Sequence, residues 1–466
     1  MSTLSRIIVA TIVVCWMTPS KQSAAQQAET VKVPTFGTVT IYRGSVAPRQ
    51  VVLFVSGDGG WNLGVVAMAE QLRDDGALVV GIDIRAFMKT LEASNRCAYP
   101  SGDFEELSRA IQLRFKLPVY KRPILVGYSS GATLVYAAIT AAPPETFAGA
   151  ISLGFCPDIE LRTPLCHMRG LTAMKRPKGV GYDLSPYSGS TVPWMVLQGE
   201  VDQVCDASTT RKFAAATGAT RLFSLPQVGH GFGVPSRWAP QFLEAYRAIA
   251  ELGLTRDVPR ATTPAVADLS LVEVPASSRA DRKALVILLT GDGGWAEIDK
   301  SISAGLAAAG VPVVGWSSLD YYWTPRTPDS AAADLARIID HYTTIWRKDR
   351  VVVVGYSFGA DVASFLVNRL PERLRSRVTE VALLGPSKTA AFEFYLASWL
   401  GGGADTRYPT IPEIERLSVP VTCVFATDEP DSVCGKIRGA RARSVAIGQG
   451  HHFGGEYGRL VESILR

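Results

Sequence analysis

Two stretches decide the reading of this chain: Ile124-Leu-Val-Gly-Tyr-Ser-Ser-Gly131 and Val352-Val-Val-Gly-Tyr-Ser-Phe-Gly359. Each is an apolar run that ends in Gly-x-Ser-x-Gly and opens a helical pattern. That context predicts a nucleophile elbow, a strand turning sharply into a helix with the serine raised above a sheet. The flanking glycines let neighbouring backbone pass close to the turn. The serine then stands at a helix N-terminus, where the dipole favours developing negative charge.

Reading outward, the chain repeats. Val51-Val-Leu-Phe-Val55 runs into Ser56-Gly-Asp-Gly-Gly-Trp61, and Leu285-Val-Ile-Leu-Leu289 runs into Thr290-Gly-Asp-Gly-Gly-Trp295. Beyond the elbows, Gly229-His-Gly-Phe232 is matched by Gly450-His-His-Phe453. The same motifs in the same order imply duplication of a whole domain rather than a short solenoid repeat. Between the copies, residues 255–267 are rich in Pro, Thr and Ala, include Pro259 and Pro264, and lack a hydrophobic period. The expected organisation is a signal segment over 1–25, an N-terminal domain over 26–254, a linker over 255–267 and a C-terminal domain over 268–466.

Within each copy, apolar β-rich runs alternate with helical patterns. Strands are expected at 51–55, 78–82, 124–126, 150–153 and 194–197, with helices at 65–74, 103–115 and 133–140. The second copy offers strands at 285–289, 311–315, 351–354, 378–384 and 421–425. Continuous apolar strands separated by helices predict a mostly parallel sheet covered on both faces. The fold class is therefore α/β, with two tandem α/β-hydrolase-like domains.

A serine hydroxyl is a weak nucleophile and needs a base held by an acid. In such a fold the partners follow in the order Ser, acid, His. The second copy offers Ser357, Asp431 and His451, and the first Ser129, Asp202 and His230. Asp431 is chosen by aligning Cys434 with Cys205; Asp428 and His452 are the alternatives. Oxyanion donors are expected from the backbone N–H groups of Phe358 and Asp292, and of Ser130 and Asp58 in the first copy. The Asp292 carboxylate has two readings: it binds a cationic substrate group, or it braces its own loop. Trp295 is a candidate substrate contact beside it. Tyr321, Tyr322, Trp323, Phe392, Phe394, Tyr395 and Trp399 could form a lipid-contacting rim, with core packing the stronger reading.

Arg6 precedes an apolar run over 7–17, and Ser23-Ala24-Ala25 gives a small-x-small pattern before Gln26. The run is about 11 residues, suited to a cleaved secretory signal and too short to span a bilayer. No later stretch is apolar enough for a membrane span, so no transmembrane segment is expected in the mature chain. A net charge of +5 on 466 residues is too weak to argue for nucleic acid. The six cysteines after the signal suit an oxidising compartment. Cys423 and Cys434 form the natural pair of the second copy, whereas the four of the first copy allow three connectivities. The sequence has no Cys-x-x-Cys and five histidines, so no metal site is expected, nor any cofactor.

Gly291-Asp-Gly-Gly-Trp295, Gly355-Tyr-Ser-Phe-Gly359 and Gly450-His-His-Phe453 together resemble the VirJ/AcvB family of bacterial virulence proteins, and the resemblance covers essentially the whole chain. The two-copy length and exported N-terminus resemble its AcvB-type members. The resemblance implies a periplasmic serine esterase that cleaves the aminoacyl ester of aminoacylated phosphatidylglycerol, lysyl-phosphatidylglycerol above all, at the membrane surface. It places the nucleophile on Ser357, with Asp431 and His451 as partners. It also implies an association with type IV secretion components. The competing expectation is thus a periplasmic adaptor or chaperone built on idle hydrolase folds.

Overall fold

The structure is a computed structural model. It describes all residues except 1–27, 94–96, 167, 169, 256–262, 278–281, 395–407, 430–431, 440 and 466. The expected signal segment, most of the expected linker, and Asp431, Tyr395 and Trp399 lie outside the described residues.

The first copy opens with an antiparallel pair, β1 (Glu29–Val33) and β2 (Gly37–Tyr42), which the sequence reading did not anticipate. β3 (Gln50–Val55), β4 (Ala77–Ile82), β5 (Ile124–Tyr128) and β6 (Gly149–Leu153) follow. A small sheet of β7 (Asp158–Ile159), β8 (Ala173–Lys175) and β9 (Tyr182–Leu184) then precedes β10 (Trp194–Gly199) and β11 (Thr220–Leu225). The main sheet has the order β1-β2-β4-β3-β5-β6-β10-β11 and is parallel from β4 onward.

The second copy has β12 (Leu271–Val274), β13 (Ala284–Leu289), β14 (Val313–Trp316), β15 (Arg350–Tyr356) and β16 (Val378–Leu384). The short pair β17 (Thr389–Ala390) and β18 (Tyr408–Pro409) comes before β19 (Val421–Phe425) and β20 (Ala442–Ala446). Its sheet order is β12-β14-β13-β15-β16-β19-β20, with only β12 antiparallel. Both copies thus have the α/β-hydrolase fold. Of the parallel strands in the two main sheets, β11 and β20 escaped the sequence reading: partial exposure gives them no continuous apolar run.

Every residue of β3, β4, β6 and β10 is buried, because helices cover both faces of the sheet. These are α1 (Leu63–Asp74), α2 (Ile84–Ala93), α3 (Pro100–Arg114), α4 (Ser130–Ala141), α5 (Ala207–Ala215) and α6 (Ala239–Thr255). The second sheet is covered by α7 (Glu297–Ala308), the short α8 (Ser318–Tyr321), α9 (Pro328–Ile345), α10 (Phe358–Asn368) and the helix Tyr457–Leu465. Each sheet therefore carries one apolar layer per face. Full burial of each Val, Leu or Ile contributes about 1.5–3 kcal/mol before entropy is counted.

The domains touch asymmetrically. The end of α3 and the loop after α4 lie against the second domain. Arg109 pairs with Asp292 and Glu145 with Lys300, and Trp323 Nε1 donates to the Leu117 carbonyl at 2.7 Å. Tyr321, Tyr322, Trp323 and Phe392 are buried, so for them the packing reading holds.

Candidate active site

Both Gly-x-Ser-x-Gly stretches turn as expected. Ser129 has φ +56° and Ser357 φ +51°, a left-handed conformation that raises the side chain out of the chain path. Each serine N–H donates to the adjacent strand, to Leu153 O at 2.9 Å and to Leu384 O at 2.8 Å. A Cβ on Gly127 would lie 2.1 Å from the Gly131 carbonyl oxygen, and one on Gly355 2.3 Å from that of Gly359. Both contacts are with backbone, so no side chain can move aside.

In the first domain His230 Nε2 lies 2.9 Å from Ser129 Oγ, and its Nδ1 lies 2.9 Å from Asp202 Oδ2. With the carboxylate on Nδ1, the neutral ring keeps its proton there and leaves Nε2 free to accept from the serine. Asp202 is itself fixed: it accepts from the N–H groups of Val204 and Cys205 at 2.8 and 2.9 Å, and from Gln198 Nε2 at 3.2 Å.

The second domain builds the same chain with a different acid. His451 Nε2 lies 2.7 Å from Ser357 Oγ, and His451 Nδ1 is hydrogen-bonded to Glu429. Asp431 lies outside the described residues, and Asp428 accepts from the Gly450 N–H at 2.6 Å instead. The acid at Nδ1 is thus neither aspartate considered from the sequence.

Strand register explains the correction. Leu197 pairs with Leu153, and Val424 pairs with Leu384. Counted from these positions, Asp202 and Glu429 are equivalent. The cysteine anchor misled because three residues separate Asp202 from Cys205 and five separate Glu429 from Cys434. The disulfides differ as well: Cys205 bonds Cys156, while Cys434 bonds Cys423. Cys97–Cys166 completes the set.

His452 is no base in this arrangement. It turns toward Tyr356, Nδ1 lying 3.4 Å from the phenol oxygen. Burial and the neighbouring His451 charge push its pKa down. His451 moves the other way: desolvation would lower its pKa, but the Glu429 hydrogen bond and charge, then Asp292 and Asp361, raise it above 6.5. Asp361, on the first turn of α10, accepts from the Ser387 N–H at 2.6 Å, and burial pushes its carboxyl up to about 7.

The Gly-Asp-Gly-Gly loops cross the nucleophiles. A Cβ on Gly57 would lie 2.9 Å from Ser129 Cβ, and one on Gly291 3.4 Å from Ser357 Cβ. This brings Asp58 and Asp292 beside the first residues of α4 and α10, Ser130 and Phe358. At the first position of a helix an N–H has no intrahelical acceptor, so those of Ser130 and Phe358 are not consumed by their own helices. The aspartate side chains differ. Asp58 accepts from Ser130 Oγ at 2.5 Å. Asp292 accepts from Arg109 Nη1 of the other domain at 2.6 Å. Desolvation, the largest single influence, raises the Asp292 pKa, yet the Arg109 charge and hydrogen bond together with the His451 charge outweigh it and hold the carboxyl below its usual range.

The structure qualifies two expectations. Asp292, its side chain 51% exposed, is not an unpaired anion: it shares the Arg109 guanidinium with Glu105. Trp295 is largely buried, 7% exposed, and also borders the small cavity that takes in Asp292 and His451. Its indole lies where a Gly315 side chain would be, with a Cβ there meeting the ring at 2.0 Å.

Among the described residues Asp202, Cys205 and His230 could together hold a metal. The Cys205 sulfur is spent in a disulfide, and the Asp202 oxygens face N–H donors. Sequence reading also passed over the elbow tyrosines. Tyr128 OH donates to the His230 carbonyl at 2.9 Å, and Tyr356 OH to the His451 carbonyl at 3.2 Å. Their repetition in both copies was the available signal. Arg109 had none, since its partner is 183 residues away. No helix among the described residues is long and apolar enough to cross a membrane.

Comparison with known proteins gives one family and many structural neighbours. No curated protein matches the chain. Among solved structures, Est1E from Butyrivibrio proteoclasticus is 12% identical over 49% of this chain and 98% of its own, with a TM-score of 0.31. Esterase 2 of Thermogutta terrifontis, phosphoramylated by tabun, is 17% identical over 49% and 96%, with a TM-score of 0.35. The esterase domain of a Rhodothermus marinus protein is 16% identical over 49% and 96%, with a TM-score of 0.32. The family model for the bacterial virulence protein VirJ matches residues 49–152 and 283–466. That is more than half of the chain, and it takes in both Gly-Asp-Gly-Gly loops and both elbows. The chain belongs to the VirJ family of bacterial virulence proteins.

Proposed function

We propose that this protein is an exported serine esterase working at the outer face of the inner membrane, and that its substrate is aminoacylated phosphatidylglycerol. The observation that carries the reading is the unbroken Ser357–His451–Glu429 chain, matched by Ser129–His230–Asp202. In the proposed reaction Ser357 Oγ attacks the aminoacyl carbonyl carbon while His451 Nε2 takes the hydroxyl proton. The N–H groups of Phe358 and Asp292 receive the oxyanion. The tetrahedral adduct collapses, His451 returns the proton to the departing glycerol oxygen, and the acyl group stays on the serine. Water, deprotonated by the same histidine, then releases the amino acid. Glu429 holds the imidazole's orientation and stabilises its charged form. No metal or organic cofactor enters these steps.

Support for the substrate comes from the family resemblance. Support for export comes from the expected signal segment and from three disulfides, which persist in oxidising compartments. The adaptor reading would tolerate decay of the catalytic residues, and two assembled triads speak against it. The test is release of the amino acid from lysyl- and alanyl-phosphatidylglycerol vesicles by wild type, Ser357→Ala, Ser129→Ala and the double variant. Full loss in the double variant is expected. Undiminished release there, or no release by the wild type, rejects the reading.

A further inference from the structure

We infer that the first domain completes the second active site: Arg109 of α3 is a positioning residue that offsets the Asp292 charge beside the oxyanion formed at Ser357. The inference rests on the esterase reading above and assigns a residue outside either triad.

Asp292 follows Gly291, whose added Cβ would lie 3.4 Å from Ser357 Cβ. A bare carboxylate at that point opposes any anion formed on the serine's substrate, because the site is partly shielded from water. Arg109 lessens the conflict, sharing its charge between Asp292 and Glu105. Its side chain is 7% exposed, and Nη1 lies 2.6 Å from Asp292 Oδ2 while Nη2 is held by Glu105. The pair forms part of the wall of a cavity of about 160 Å³ that also takes in Gly291, Tyr356, His451 and His452. First-domain atoms therefore border the second site directly.

The arrangement is not a by-product of the repeat. Arg337 holds the same place in α9 that Arg109 holds in α3, nine residues after the proline that begins each helix. Yet Arg337 pairs with Asp268 and Asp334 of its own domain. In the first domain Asp58 takes the Ser130 hydroxyl and no arginine. A buried guanidinium paired with a carboxylate that is 51% exposed is also a poor device for merely holding domains together, since desolvation of the arginine offsets much of the attraction. The Trp323–Leu117 hydrogen bond and the Lys300–Glu145 pair already serve that end.

The charges facing His451 sharpen the test. Glu429, Asp292 and Asp361 raise its pKa, and His452 adjoins it. Loss of the Arg109 charge leaves the carboxylates less balanced, so His451 holds its proton to higher pH.

The experiment uses the full chain carrying Ser129→Ala, so that turnover of p-nitrophenyl butyrate reports Ser357 alone. Arg109→Gln, Arg109→Lys, Asp292→Asn and Arg109→Gln/Asp292→Asn are compared by kcat, KM, pH profile and Tm. Arg109→Gln should lose about 10- to 100-fold in kcat with KM little changed, and its acid limb should move to higher pH. Arg109→Lys should keep most of the activity. The double variant should recover to within about threefold of Asp292→Asn, because removing the uncompensated charge removes the penalty. Equal impairment of Arg109→Gln and the double variant marks a structural contact and overturns the inference, as does an unimpaired Arg109→Gln. If the parent hydrolyses no ester that Ser357→Ala abolishes, the esterase reading itself fails.

Discussion

Replacing Glu429 with Gln tests the second triad most directly. The substitution keeps the size and one acceptor oxygen but removes the charge that faces His451 Nδ1. An imidazolium and a carboxylate about 4 Å apart attract by about 4 kcal/mol at an effective dielectric of about 20. The His451 side chain is 43% exposed, so solvent screening reduces this to about 2–3 kcal/mol. That corresponds to roughly 30- to 160-fold in rate. Gln can also donate to Nδ1 and favour the wrong tautomer, which brings the expected loss to about 100- to 1,000-fold in kcat. KM should change little, because Glu429 touches the histidine and not the substrate. The assay is p-nitrophenyl butyrate turnover in the Ser129→Ala background, with fluorophosphonate labelling to count folded sites. Asp428→Asn retains an acceptor for the Gly450 N–H and should stay within about threefold of the parent, as should Asp431→Asn. A crippled Asp431→Asn beside a nearly intact Glu429→Gln would refute the assignment.

Other consequences follow from the same contacts. The His451 pKa is raised above 6.5, and the base must be neutral, so kcat/KM on a neutral ester should fall as pH drops through a midpoint above 6.5. In Glu429→Gln that midpoint should move down, which a pH–rate profile reads. Trp295→Ala should destabilise the second domain by about 3–5 kcal/mol, visible in thermal unfolding; a normal Tm with a raised KM would restore the substrate-contact reading. Gly359→Ala places a Cβ 2.3 Å from the Leu289 carbonyl oxygen and should cost about 3 kcal/mol or prevent soluble expression. Cys156→Ser/Cys205→Ser opens a loop of sequence separation 49 and should cost about 2–4 kcal/mol. It should also lower Ser129-dependent turnover more than Ser357-dependent turnover, because the Cys205 N–H holds Asp202.

The sequence by itself determined the duplication, the sheet class, and the two serines and two histidines that the fold brings together. Those features are local: an elbow is written in one strand, three glycine-bounded positions and a helix start, and the His loops repeat in both halves. Strands buried on both faces announce themselves by unbroken apolar runs, which is why β3, β4, β5 and β6 were found and the half-exposed β11 was not. Other decisions belonged to tertiary structure. Glu429 was hidden because an acid is chosen by where its carboxylate lands after the last buried strand, and two extra residues before Cys434 shifted the only visible landmark. That Trp295 packs over Gly315 was invisible in sequence, because only the fold leaves that space open for its ring. Arg109 could be found only in space. A charge is matched by whichever group lies nearest, and packing of α3 on the Gly-Asp-Gly-Gly loop brought Asp292 a partner from the other half of the chain.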